Sequence, residues 1–111
     1  MNPLPAEEEC RIEPLVSAIS GRWKLLVIYW LAQRTFRFNE LQRNLGRITH
    51  RTLTRQLSEL QEAGFVVRKD FKSIPPHVEY SLTPLGKSLV PLLQAMHDWA
   101  VANADSLPEA K

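Results

Sequence analysis

The sequence predicts a mainly helical domain with one small β-hairpin, an α+β fold, on three observations. Its 111 residues suit a single domain, because soluble domains cluster near ~100–150 residues. Hydrophobic residues make up 44% and charged residues 23%, which is an ordinary globular composition. Apolar residues recur at helical spacing along most of the chain, and the period changes to two only around residues 65–82. We therefore expect one folded domain over residues 10–105, with a flexible arm at 1–9 and a tail at 106–111.

Five helices are predicted from the apolar spacing and from residues that can start or end a helix. They are expected at residues 12–19, 22–34, 39–45, 50–63 and 84–103. The second is apolar on almost every side, which predicts a buried helix at the centre of the core. Asn39 and Thr49 are the expected caps of the third and fourth helices, and Gly64 ends the fourth in a left-handed conformation. A Thr-Pro pair starts the last helix, within which Pro91 predicts a kink or a break.

Between the fourth and fifth helices, strands at residues 65–71 and 78–82 are predicted to form a hairpin. The Ile-Pro-Pro segment at 74–76 cannot pair in a ladder and is the hairpin loop. Residues 35–37 are long enough only for a small strand or a turn. The third helix, a turn containing Gly46 and the fourth helix form a helix-turn-helix, and the hairpin after it is a wing. In a winged helix-turn-helix the second of these two helices enters the major groove of DNA by its N-terminal end.

Positive charge is concentrated on this helix-turn-helix, although the formal net charge of the whole chain is only +2. Residues 43–58 contain four arginines and no acidic residue. Clustered positive charge is typical of nucleic-acid binding, while a solvated helix face is the alternative interpretation. The order of side chains along the fourth helix favours DNA. Its first turns carry arginine, threonine and glutamine, and its acidic residues come only near its end.

The candidate DNA-binding residues are those that this geometry turns towards the duplex. In the helix-turn-helix they are Arg43, Arg47, Thr49, His50, Arg51, Thr52, Thr54, Arg55 and Gln56, and in the wing they are Lys72, Ser73 and His77. Arginine can pair with guanine edges, so Arg51 and Arg55 are expected to contact bases or the adjacent phosphates. Arg43 and Arg47 are expected to hold phosphates. For the wing residues, an ordinary hairpin loop kept soluble by its charge is the alternative.

Other classes of protein are disfavoured by what the sequence lacks. It contains no paired nucleophile and base, no carboxylate pair and no glycine-rich phosphate loop, so we expect no enzyme. The spacing of the three histidines matches no metal site, so neither a metal nor another cofactor is expected. The longest apolar run, residues 25–32, is too short for a membrane span of ~20 residues, and no signal peptide is visible. These features predict a cytoplasmic protein with no membrane partner.

Four segments, in the same order along the chain, resemble a known family. They are GRWKLL at 21–26, RFNEL at 37–41, ITHRTLTRQL at 48–57 and PPHVEYSLTPLG at 75–86. The sequence is similar to the HxlR-type winged helix-turn-helix regulators, which are relatives of the MarR regulators. The resemblance extends over roughly residues 10–100. It implies a bacterial or archaeal transcription factor that binds double-stranded DNA at a pseudo-palindromic operator as a homodimer, with repression as the favoured direction of control.

The resemblance also implies a dimer interface built from the first and last helices. The interface candidates are Ile12, Leu15, Leu89, Leu92, Leu93, Met96 and Trp99. The alternative is that these side chains only complete the core of the monomer. We favour the dimer, because Leu92 and Leu93 together expose too much apolar surface for one modest core. An unidentified small effector between these helices is a further expectation.

Cys10 is the single cysteine, so no internal disulfide can form. Members of the resembled family often carry a cysteine near this position, usually followed by proline, and some use it to sense oxidants or electrophiles. Arg11 follows Cys10 here, and an adjacent cation favours the reactive thiolate. Redox sensing through Cys10 and an inert, buried cysteine are both open from the sequence. A winged-helix module that binds proteins instead of DNA remains the alternative function.

Overall fold

The computed structural model describes residues 11–108, and its architecture is the expected winged helix-turn-helix. Its helices are α1 (Ile12–Ile19), α2 (Lys24–Gln33), α3 (Phe38–Leu45), α4 (His50–Glu62) and α5 (Pro84–Ala102), and its strands are β1 (Phe36–Arg37), β2 (Val66–Asp70) and β3 (Val78–Leu82). A short 3-10 helix, Ala104–Ser106, follows α5. The predicted bounds of α1 and β3 are confirmed. The predicted arm at 1–9, Cys10 and residues 109–111 lie outside the described residues.

α2 lies at the centre of the hydrophobic core, as its apolar circumference predicts. Val27 and Ile28 are fully buried, and Leu31 is nearly so. They pack in one cluster with buried leucines of α3 and α4, which are Leu41, Leu53, Leu57 and Leu60. Burying such a side chain stabilises the fold by about 1.5–3 kcal/mol. The cluster therefore fixes both helices of the helix-turn-helix against α2.

The strands of residues 11–108 form a three-stranded antiparallel sheet, where the sequence predicted a two-stranded hairpin. Its order is β1-β3-β2, with Phe36 opposite Tyr80 and Arg37 opposite Glu79. Phe36 is buried, so β1 contributes to the core as well as to the sheet. The wing is thereby tied to the two residues that immediately precede α3.

α3 begins one residue earlier than predicted, and the prediction that Asn39 caps it is wrong. Arg37 is the N-cap residue, because β1 runs directly into the helix in extended conformation. The Glu40 carboxylate accepts a hydrogen bond from the Arg37 backbone N–H at 2.9 Å. This bond, assisted by the positive charges of Arg34 and Arg37, holds the pKa of Glu40 below its ordinary value. The start of α3 is thus stabilised by a carboxylate that stays ionised.

The start of α5 is docked on the corner between α4 and β2. The Thr83 hydroxyl caps the helix by accepting from the Gly86 N–H at 3.0 Å, and it donates to the carbonyl oxygen of Gly64. Gly64 has a φ of +86°, which confirms the predicted left-handed end of α4. Gly86 is buried so close to β2 that a methyl group there would collide with the Phe65 carbonyl oxygen.

α5 continues through Pro91, so the predicted break is wrong. Proline removes one backbone hydrogen bond from a helix, but tertiary packing can hold the helix together across that point. Leu89 is buried on one side of Pro91, and Val90 and Leu93 pack against the core next to it.

Among residues 11–108 no single helix has both the length and the apolar composition of a membrane span. α1 and α2 have the length and apolar composition of a span only when they are taken together, and the two helices are bent by 81° relative to each other.

Candidate DNA-binding surface

α4 presents one buried and one exposed face. Its three leucines point into the core, and its opposite face lines a shallow depression formed by His50, Arg51, Thr54, Arg55, Ser58, Glu59 and Glu62. Arg51 and Arg55 are exposed, and so are His50 and Thr54. Thr52 and Gln56 are half-buried at the edge of this face. The structure therefore brings four of the predicted residues, His50, Arg51, Thr54 and Arg55, together on one solvent-facing surface, with the cations towards the N-terminal end.

The first turn of α4 is held by its own threonines. Thr49 is the N-cap, as predicted, and its hydroxyl accepts from the Thr52 N–H at 3.1 Å and donates to the Thr52 hydroxyl at 2.9 Å. Thr54 donates its hydroxyl to the His50 carbonyl at 2.8 Å. The hydroxyl protons of Thr49 and Thr54 are donated within the protein. Each of these threonines still offers an oxygen lone pair and its methyl group to a duplex.

The turn between α3 and α4 is rigid. Gly46 has a φ of +89°, a left-handed conformation that favours glycine. The Gln42 side chain donates from Nε2 to the Ile48 carbonyl at 3.1 Å, and the Gln42 carbonyl accepts from the Gly46 N–H at 3.0 Å. Ile48 is buried and anchors the turn in the core. Arg43 and Arg47, the predicted phosphate contacts, are exposed on either side of Gly46.

Lys24 is a functional candidate that the sequence reasoning missed. Its Nζ lies 3.0 Å from Oε1 of Glu59, and its side chain is only 13% exposed. The contact joins the first residue of α2 to the exposed face of α4. It spans 35 positions of sequence, so no local pattern could have predicted it. Lys24 stands within the GRWKLL segment, which was the one available signal.

Phe38 is the second residue that the sequence reasoning missed. Its ring centroid lies 4.5 Å from that of His50 and 6.4 Å from that of Tyr80. Phe38 is the first residue of α3, His50 is the first of α4, and Tyr80 is in β3. One aromatic side chain thus connects both helices of the helix-turn-helix with the wing.

Of the three wing residues that were predicted to contact DNA, Lys72 has an exposed side chain, whereas the side chains of Ser73 and His77 are paired within the protein. Lys72 is exposed, with its N–H donating to Oδ1 of Asp70 at 2.8 Å. The Ser73 hydroxyl donates to the Pro75 carbonyl at 2.8 Å. His77 is half-buried, with Nε2 2.7 Å from Oε2 of Glu79. Lys72 is therefore the predicted wing residue best placed to meet a phosphate.

The wing loop is also joined to the start of α3. The guanidinium of Arg37 donates from Nη2 to the Pro76 carbonyl at 3.4 Å. Arg37, Arg43 and Pro76 share one depression between α3 and the wing. This contact brings Arg37, another residue absent from the predicted set, onto the same side as the wing loop.

The predicted interface residues divide into two groups. Leu89 is buried in the monomer core, and Leu15 and Leu93 are partly buried against that core. The others are strongly exposed, with values of 49% for Ile12, 47% for Leu92, 51% for Met96 and 60% for Trp99. The exposed group is the part available to a second subunit.

An apolar groove of about 700 Å³ runs between α2 and α5. Its walls include Leu25, Leu26 and Tyr29 from α2, and Leu93 and Met96 from α5. Polar groups of Gln33, Gln94 and His97 also reach it.

Comparisons with known proteins agree with this architecture. The profile of the HxlR-like helix-turn-helix family matches residues 18–107. The HTH-type transcriptional regulator BH0655 of Halalkalibacterium halodurans is 45% identical over 92 residues, covering 82% of this chain and 81% of that protein. The HTH-type transcriptional regulator YybR of Bacillus subtilis is 41% identical over 106 residues, covering 96% of this chain and 85% of that protein.

A solved structure gives the same result for the fold. The redox regulator HypR in its reduced form superposes with a TM-score of 0.81 at 40% identity, covering 86% of this chain and 94% of that chain. The family and these relatives are transcriptional regulators, not enzymes. Because the family profile matches most of the length of this chain, the chain belongs to the HxlR-like helix-turn-helix family.

Proposed function

We propose that this protein is a cytoplasmic, sequence-specific regulator of transcription that binds double-stranded DNA as a homodimer and acts as a repressor. The main support for DNA binding is the exposed, cationic N-terminal half of α4. Three buried leucines hold this helix on the core. A helix presented in this way fits the major groove, and its arginines match the edges of guanine.

The candidate surface assigns different tasks to its cations. Arg51 and Arg55 contact base edges or adjacent phosphates, while Arg43 and Arg47 hold the phosphate backbone beside the turn. Lys72 meets the backbone from the wing. Each phosphate contact releases a condensed counterion, so the affinity for DNA falls as salt concentration rises.

The homodimer is supported by the exposed apolar side chains of α1 and α5. Met96 and Trp99 lie on α5 with half or more of their surface in solvent. Residues three positions apart lie on one face of a helix, and an exposed apolar face marks an interaction site. A two-fold symmetric dimer then places two copies of α4 about one turn of DNA, ~34 Å, apart, which requires a pseudo-palindromic operator.

A redox signal through Cys10 is part of the proposal. It is supported by the 40% identity with the redox regulator HypR and by the cationic neighbour Arg11. Because the chain has a single cysteine, any disulfide must join Cys10 to the second subunit or to a small thiol. Oxidant should weaken DNA binding by the wild type and spare the Cys10→Ser variant, and an identical response of both proteins would remove this part of the proposal.

The DNA-binding proposal is tested by selecting duplexes from a random-sequence pool with the purified wild-type protein. Binding to the selected duplex is then measured by fluorescence anisotropy over a series of salt concentrations. Substitution of Arg51 and Arg55 by alanine should weaken binding by about a thousandfold or more, because the homodimer loses four contacts that cost ~1–3 kcal/mol each. Lys87, which is exposed near the start of α5, provides the matched control, and its alanine variant should bind as the wild type does.

Two results would contradict DNA binding. The first is a wild-type protein that selects no duplex, and the second is an Arg51 and Arg55 variant that binds as tightly as the wild type. Either result, together with loss of a captured protein partner in that variant, favours the protein-interaction module.

A further inference from the structure

The tip of the wing carries a fully solvent-exposed isoleucine. Ile74 is 100% exposed, and Pro75 and Pro76 beside it are also exposed. Isolated exposed apolar residues are common on protein surfaces, so the exposure alone indicates nothing. Ile74 differs from such residues because hydrogen bonds and a ring contact fix the conformation of the loop that carries it.

The loop is organised so that the tip is held outwards. The Phe71 N–H donates to the His77 carbonyl at 2.9 Å, and the two rings lie 4.5 Å apart, which closes the base of the loop. Within it, the Ser73 hydroxyl donates to the Pro75 carbonyl at 2.8 Å. Two consecutive prolines restrict φ on one side of Ile74. Little conformational entropy remains to be lost when the tip is bound.

The tip lies on the same side of the molecule as the start of α4. Arg37 Nη2 is 3.4 Å from the Pro76 carbonyl, and the next residue, Phe38, stacks against His50. A continuous set of contacts therefore runs from the first residue of α4 to the wing loop. A duplex bound at the start of α4 therefore lies close to the wing loop.

The charges around the tip suit DNA better than a protein or a lipid surface rich in apolar groups. The acidic side chains near the loop are engaged internally, Asp70 by the Lys72 N–H and Glu79 by His77. Lys72 and Arg37 are exposed next to the tip, and the Nζ of Lys69 lies 4.7 Å from the centroid of the Phe71 ring at the base of the loop. An apolar point surrounded by cations matches a groove floor of stacked bases between two phosphate backbones.

We propose that Ile74 is inserted as an apolar wedge into the minor groove beside each half-site, where it partly separates two stacked base pairs. The inference rests on the proposed DNA binding and adds a contact outside the cationic set. Apolar side chains of this kind widen or kink a duplex at the step that they enter. Steps that unstack readily, such as TA and CA, are then favoured at that position of the operator.

The test uses the duplex selected by the wild-type protein, labelled with 2-aminopurine at the steps that flank each half-site. The variants are Ile74→Ala, Ile74→Leu, Ile74→Lys and Lys72→Ala. Ile74→Ala should raise Kd about tenfold, because most of the buried apolar surface is lost. Its salt dependence should be unchanged, and the fluorescence increase that reports unstacking should disappear. Ile74→Leu should retain both affinity and unstacking.

The charged variants distinguish a wedge from a tip that follows the phosphate backbone. Lys72→Ala should lower the salt slope by about two units, one for each wing of the homodimer, and keep the fluorescence increase. Ile74→Lys should weaken binding and abolish the increase if the tip is a wedge, whereas tighter binding by this variant overturns the proposal. Thermal unfolding of Ile74→Ala should match the wild type, because the side chain is fully exposed.

Failure of the wedge and failure of DNA binding give different results. A wild type that selects no duplex overturns both. A wild type that selects a duplex, combined with an Ile74→Ala variant of unchanged Kd and unchanged unstacking, overturns the wedge alone.

Discussion

α4 and α5 are both helices with apolar residues at regular spacing, but they use those residues differently. In α4 the apolar positions 53, 57 and 60 are buried in the monomer from the first turn to the last. In α5 only Gly86 and Leu89 are buried, and the large apolar residues after position 94 are exposed. A recognition helix must be rigid with a polar outer face, so its apolar side is fully covered by the core. In the proposed homodimer, α5 keeps its apolar side for the partner subunit.

The difference also appears in the shape of the molecule, which measures 55 × 32 × 22 Å. A helix of 19 residues is ~28 Å long, and the buried residues of α5, Gly86 and Leu89, both lie in its first half. The predictions below test this contrast, from the largest expected effect to the smallest.

Trp99→Glu should produce the largest effect, because it places a charge at the most exposed large aromatic residue of α5. Tryptophan is enriched among residues that dominate interface energies, so the dimer dissociation constant should rise by about a hundredfold or more. Sedimentation velocity measures the change, and circular dichroism checks that the monomer stays folded. Ser88→Glu adds the same charge to an exposed position in the packed half of α5 and should remain dimeric. A dimeric Trp99→Glu variant would contradict the proposed interface.

Gly86→Ala should destabilise the packed half of α5. The added methyl group meets the Phe65 carbonyl oxygen, so the helix must move away from β2. Overpacking of this kind costs about 1–3 kcal/mol, which exceeds the usual gain of alanine over glycine in a helix. Denaturant unfolding should show a lower midpoint than that of Lys87→Ala, the exposed neighbour. Equal midpoints would mean that α5 is held less tightly at this corner than its geometry indicates.

Thr49→Ala should loosen the recognition helix at its first turn. It removes the hydroxyl that accepts from the Thr52 N–H, and loss of an N-cap costs about 1 kcal/mol. Thr54→Ala is the control, since its hydroxyl only donates to a carbonyl within the helix. Urea unfolding of the two variants compares them directly. If Thr54→Ala proved the more damaging, the rigidity of α4 would have to come from somewhere other than its cap.

The sequence predicted the elements well and their long-range contacts poorly. Periodicity is local, so it located α1, α4 and β3 and the buried leucines of the core. The pairing of Phe36 with Tyr80 joins residues far apart along the chain, and a two-residue strand has no periodicity of its own. For the same reason, no local pattern indicated the Lys24 contact with Glu59 or the contact of Arg37 with Pro76.

At the candidate site, residue type predicted which side chains are cationic but not which are already engaged. His77 was expected to face DNA, and the structure pairs it with Glu79 across the base of the wing loop. Leu89 was expected at the dimer interface, and it lies in the monomer core, because α5 is still docked against the sheet at that point. Sequence spacing assigns a residue to a face of a helix, whereas tertiary packing decides where along the helix that face leaves the core.

Glu40→Gln should give the smallest effect, and it is visible only in acid. The backbone N–H of Arg37 and the nearby guanidinium of Arg34 hold the pKa of Glu40 below its ordinary value of 4.5 when the chain is folded. Between the lowered folded pKa and the ordinary unfolded pKa, the unfolded chain binds more protons, so protonation favours unfolding there. The stabilisation by Glu40 is therefore complete above pH ~4.5 and is lost as the pH falls through the folded pKa.

The wild type should be the more stable protein at neutral pH, and the difference from Glu40→Gln should shrink as the pH falls below that value. Glu62→Gln, at an exposed position near the end of α4, removes one negative charge elsewhere on the surface and is the matched control. A constant difference between wild type and Glu40→Gln from pH 7 to pH 3 would mean that the β1–α3 junction does not depend on this carboxylate.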